Sequence, residues 1–142
     1  MQLSNGRKVD RDTPILAGSN FSWGEATKGL KRIPQDLFLN NKLICSSQEI
    51  EQNIIKLAKY LDNVRDILGN RPLIVTSWYR PKHINSRVGG STNSQHLYGH
   101  AVDFYCNYLS PSEIYGRLDG WHGTKGGLAK YFTWAFIGEM VQ

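Results

Sequence analysis

The sequence predicts an α+β domain, with a small, mainly antiparallel sheet and helices packed on it. Three observations predict it. Ser46-Ser47-Gln48-Glu49 opens a long stretch whose apolar residues recur at helical spacing. Leu73-Ile74-Val75-Thr76, and Ala101-Val102 with Phe104-Tyr105, are β-prone runs bounded by glycine or proline. Ser110-Pro111-Ser112-Glu113 opens a second helix, with a serine cap, a proline at the first position and a capping-box glutamate.

Taken in order, residues 1–20 are polar and carry Gly6, Pro14 and Gly18. They read as an irregular arm anchored by Ile15 and Leu16, ahead of a single domain over residues 21–142. Ser22-Trp23-Gly24-Glu25 has capping-box spacing and starts a short helical turn. Lys28 to Arg32 is a basic cluster, read as an exposed turn, and Pro34 breaks the chain before Leu37-Phe38-Leu39. Ile50, Ile54, Leu57, Leu61, Val64 and Leu68 then mark the buried face of the 46–68 helix, which Gly69 stops. That helix is core and carries no chemistry. Residues 72–78 form a strand, residues 81–94 a polar loop bordering a cleft with His83 exposed in it, and Leu128 to Ile137 one or two closing strands.

Composition sets the outer bounds. A chain of 142 residues suffices for one domain with a real core. Its 40% hydrophobic and 20% charged residues are those of a globular protein. The net charge of +5 is scattered, without a basic run or a nucleic-acid signature, so no nucleic-acid partner is expected. Two cysteines, Cys45 and Cys106, exclude a disulfide-rich scaffold and read as buried thiols. No apolar run is long enough to span a membrane, and the N-terminus lacks the apolar core of a signal peptide. The expectation is a monomer made in the cytoplasm, which would reach a cell wall only through lysis or on a phage particle.

The chemistry centres on Ser94-Gln95-His96-Leu97-Tyr98-Gly99-His100-Ala101-Val102-Asp103-Phe104. Asp103 is a carboxylate inside an apolar strand, which is costly unless its charge is compensated. A metal ion is one compensator. Zinc accepts His nitrogen and Asp oxygen, and its catalytic sites use three protein ligands and a water. On this reading His96 and Asp103 supply two ligands; an ordinary ion pair between them is the alternative. His100 is placed on the opposite strand face from Asp103 by alternation. Arg80, at the end of the 72–78 strand, is rigidly placed to hold a carboxylate in two-pronged fashion, or to pair with a structural acid. Ser94 is placed to steady His96.

The pattern Ser94-x-His96-x-x-Gly99-x-Ala101-x-Asp103-Phe104 resembles the signature of the zinc D-alanyl-D-alanine carboxypeptidases and related phage endolysins. Ser77-Trp78-Tyr79-Arg80-Pro81 looks like that family's Ser-x-Tyr-Arg segment, and Asn85 to Asn93 like its glycine-containing loop. Phe21 to Thr27 looks like the start of some small members. The resemblance implies a zinc peptidase fold, zinc held by His96 and Asp103, a substrate carboxylate held by Arg80, and the peptide stem of peptidoglycan as substrate. Tyr79 and Ser94 fall into substrate-binding or supporting positions.

The sequence departs from the pattern near its end. The family's third metal-binding histidine, and an acidic residue after it, are expected in the last hairpin, where Trp134 and Phe136 stand. Three accounts follow. His122 serves as third ligand with Asp119 as catalytic base; or the site is degenerate and binds wall peptide, or serves a phage particle structurally; or the C-terminal sequence is altered.

Overall fold

Long-range pairing builds the frame. In the computed structural model, residues 1–122, 128–130 and 135–138 are described, with side chains through Asp119. The elements are α1 (Trp23–Ala26), β1 (Leu37–Leu39), β2 (Lys42–Cys45), α2 (Ser47–Ile67), β3 (Leu73–Ser77), α3 (Lys82–Arg87), a 3-10 turn (Gln95–Tyr98), β4 (Ala101–Cys106), α4 (Pro111–His122), β5 (Leu128–Lys130) and β6 (Ala135–Gly138). Strands β3-β4-β6-β5 form one antiparallel sheet, and β1–β2 form a separate hairpin. This is the α+β arrangement that the sequence predicts.

Helix α2 forms where its sequence says. The Ser46 hydroxyl accepts from the Glu49 amide, and Glu49 reaches back to the Ser46 backbone. Two of the four orphan N–H groups of a helix start are thereby satisfied. Ile50, Ile54, Leu57, Ala58, Leu61 and Val64 are fully buried, in one cluster with Phe104, Ile114 and Leu118. Burial of each large side chain contributes roughly 1.5–3 kcal/mol relative to exposure.

Three features differ from the sequence reading. The segment 81–94 is not all loop: Lys82–Arg87 is helical, entered from Pro81 and ended at Val88. Asn85 in it is buried, and its side-chain amide donates to the Ser91 carbonyl at 2.8 Å, which folds the following glycine loop back onto the helix. Residues 37–45 form a hairpin, turned by Asn40 and Asn41 with φ of 52° and 63°. Asparagine tolerates this left-handed region better than most residues. The Lys28–Arg32 segment is a turn exposed at Lys28 and Lys31, as read, but it is also docked, because the Lys28 ammonium donates to the Thr76 carbonyl and the Arg32 guanidinium to Ser77.

Residues 1–20 have only isolated bridges, Gln2 with Lys8 and Pro14 with Ser22. Even so, Leu3, Val9 and Ile15 join the main core, and Ser4 donates to the Glu51 carboxylate from both its amide and its hydroxyl. Cys45 and Cys106 are free and buried.

Candidate metal and carboxylate site

The site is assembled where β3, the 3-10 turn and β4 meet. Strand β4 lies between β3 and β6, so both its edges are paired, and Asp103 is only 9% exposed. An irregularity in register between Val75 and Ser77 sets Ser77 opposite Asp103. Bulges of this kind re-aim side chains near functional sites.

His96 rides on the 3-10 turn. The Ser94 hydroxyl caps that turn by accepting from the His96 amide at 3.2 Å. Gly99 ends it with φ 74°, a left-handed conformation that costs glycine little. A Cβ at Gly99 would stand 2.9 Å from Ile54 Cγ1 and 3.2 Å from the Ile50 carbonyl, so the turn lies directly against α2. The Trp78 indole N–H donates to the Gly99 carbonyl, and the Arg80 amide donates to the His96 carbonyl at 3.0 Å. The turn is therefore tied to the end of β3 on two sides.

These ties fix the imidazole. His96 Nδ1 lies 2.5 Å from the Trp78 carbonyl oxygen. A carbonyl only accepts, so Nδ1 carries the proton and Nε2 faces Asp103 Oδ2, 3.4 Å away. A carbonyl on the rear nitrogen is the usual device for aiming a metal-binding histidine. Two ligand atoms about 2.1 Å from a tetrahedral zinc stand about 3.4 Å apart, the separation found here. The pair therefore fits zinc. Among the described residues no third His, Cys, Asp or Glu joins it.

Arg80 completes the described cluster. Its Nη2 meets Asp103 Oδ2 at 3.2 Å and its Nε donates to Ser77 Oγ at 3.1 Å. Two of its donor nitrogens are thus engaged within the protein, and Nη1 extends the fork.

Tyr79 is buried, and its hydroxyl accepts from the Gln35 amide at 3.3 Å. Burial pushes its phenol up to about 12. Tyr79 ties the 34–36 segment to the core and borders a cleft of about 460 Å³ between the β1–β2 hairpin and α3, along with Leu37, Phe38, Lys82 and Leu97. His83, exposed, lines the same cleft. His100 is buried, and burial with Lys56 nearby lowers its pKa. Asp119 is exposed on α4. His122 ends α4, and its side chain lies outside the described residues, as does Trp134. The backbone of Phe136 pairs with Asp103 across β4 and β6, so the last hairpin runs alongside the site.

Arg32 is the residue that sequence reasoning missed. Its Nη1 donates to Ser77 Oγ at 3.3 Å and to the Tyr79 carbonyl at 3.4 Å. Burial and the neighbouring Arg80 charge lower its pKa. No local sequence signal marks this contact, because it joins the loop after α1 to the end of β3.

A stretch of 43 residues, 30% of the chain, is 44% identical to a zinc D-Ala-D-Ala carboxypeptidase of Streptomyces albus G. The match spans 17% of that protein's length. The family model described as Peptidase M15 matches residues 16–137, from the end of the arm through β6. By that match, over most of its length, the chain belongs to the peptidase M15 family.

Proposed function

We propose that the protein is a zinc-dependent peptidase acting on the peptide stems of peptidoglycan, of the D-alanyl-D-alanine carboxypeptidase or endolysin type. The observation that carries this is the convergence of His96 Nε2 and Arg80 Nη2 on Asp103 Oδ2. A metal-fitting pair and a guanidinium meet at one point.

His96 and Asp103 would hold the metal, with His122 the candidate for the third ligand. Zinc, when bound, supplies a Lewis acid and an activated water. Arg80 binds the free carboxylate of the peptide and so orients the scissile bond relative to His96 and Asp103. Asp119 is the candidate base, taking a proton and delivering it to the leaving amine nitrogen. No helix among the described residues is long and apolar enough to cross a membrane. We expect a monomer with no nucleic-acid partner.

Trp134 favours a second reading, a catalytically impaired relative that binds wall peptide or serves a phage particle structurally. One assay separates the two. Purified protein is incubated with a peptide ending in D-alanyl-D-alanine, and with peptidoglycan, and released amines are followed. The peptidase reading predicts release that stops with a chelator and returns with zinc. Binding without release supports the second reading, and neither binding nor release contradicts both.

A further inference from the structure

Three donors meet at Ser77. Arg32 Nη1 and Arg80 Nε both donate to its hydroxyl oxygen, at 3.3 and 3.1 Å. A serine hydroxyl has two acceptor positions and one proton to give. With both acceptor positions taken, its O–H is a further donor at the same point.

Among the described residues the charges at this point do not balance. Arg80 pairs with Asp103, and no described carboxylate pairs with Arg32. Two guanidiniums therefore stand against one carboxylate, and the Arg32 pKa is lowered partly by its like-charged neighbour. Holding two cations together costs energy unless an anion joins them. Arg32 is also held firmly. Its amide donates to the Thr27 carbonyl at 2.9 Å, and the same loop is pinned by Lys28 on Thr76. Thr27 itself is fully buried, donating to the Trp23 carbonyl at 2.6 Å and accepting from the Leu30 amide. The loop thus presents a fixed guanidinium, held at Nη1 by Ser77 and the Tyr79 carbonyl.

We propose that Arg32 is a second carboxylate-binding residue of the site, forming with Arg80 and Ser77 a clamp of two guanidiniums and a hydroxyl for the free carboxylate of the peptide substrate. This rests on the peptidase reading above and adds to it the residue that sets preference for a free over a blocked peptide end. Arginine forks match a carboxylate with two parallel bonds, and a second fork adds donors from another direction.

The test uses the full chain and a probe without a D-alanyl-D-alanine bond, N-acetyl-D-alanine, beside its C-terminal amide. Dissociation constants for both are measured by NMR titration in wild type, Arg32→Gln, Arg32→Lys and Arg80→Gln. The wild type is expected to prefer the acid. Arg32→Gln is expected to reduce that preference about tenfold or more, with amide binding unchanged. Arg32→Lys should fall between them and guards against an Arg32→Gln chain that does not fold. If Arg32→Gln and Arg32→Lys keep the wild-type preference while Arg80→Gln loses it, the Arg32 assignment is wrong and the peptidase reading stands. Equal weakening of acid and amide would make Arg32 a structural residue only, overturning the assignment. No acid preference in the wild type would overturn the clamp and the free-carboxylate role of Arg80, while the chelator-sensitive release assay would still decide the peptidase reading.

Discussion

Helix α2 and the stretch from Ser77 to Asp103 both carry buried side chains, but they bury different chemistry. The inner face of α2 is Ile50, Ile54, Leu57, Ala58, Leu61 and Val64. Its one buried charged residue, Glu51, is met by the amide and hydroxyl of Ser4. The 77–103 stretch instead buries Asn85, His96, His100 and Asp103. Such burial is tolerated where partners replace water, and here carbonyls meet the Asn85 amide and the His96 ring and a guanidinium meets Asp103. The difference teaches where to look for chemistry. Apolar burial organises the fold, while the compensated polar burial beside it gathers at the site. Gly99 joins the two, letting the turn that carries His96 lie on Ile50 and Ile54.

The comparison is broken hardest from the α2 side. Leu57→Ala removes a fully buried side chain and should lower unfolding free energy by about 2–5 kcal/mol in chemical denaturation. Zinc held per folded chain should not change. Loss of zinc from the folded variant would mean that core and site are not separable in this way.

A smaller effect sharpens the polar side. Burial first, and Lys56 second, depress the His100 pKa in the folded chain. The unfolded chain then binds a proton more readily than the folded one. Stability from this group is full above the unfolded value of about 6.5 and is lost as pH falls from there through the lower folded value. The denaturation midpoint should therefore fall between about pH 7 and pH 5, and fall less steeply in His100→Gln. Equal slopes would show that His100 does not drive the loss.

Much of this was legible in sequence, for physical reasons that differ by element. Helix α2 announced itself through a capping box and a periodic apolar face, both local properties. Helix α4 did so through Ser110, Pro111 and Glu113, and the Ser110 hydroxyl accepts from the Glu113 amide. The approach of His96 to Asp103 was legible because a carboxylate in an apolar strand needs a partner. The hairpin 37–45 was missed, although two adjacent asparagines are a turn signal. Helix α3 was missed because residues 82–87 are polar and carry no apolar periodicity. Arg32 could not be seen from its neighbours, since it meets Ser77 only after the α1 loop docks on β3. Tyr79 falls by resemblance into a substrate-binding or supporting position, and in the structure its hydroxyl accepts from the Gln35 amide.

The central claim is that His96 and Asp103 form the core of a zinc site, and metal content tests it most directly. Zinc per chain would be measured in purified wild type, His96→Ala, Asp103→Asn and His122→Ala, with circular dichroism confirming that each variant is folded. About one zinc is expected in the wild type, lost in the folded His96 and Asp103 variants, and lost in His122→Ala if His122 is the third ligand. A wild type without zinc, or one whose zinc survives loss of both His96 and Asp103, would contradict it.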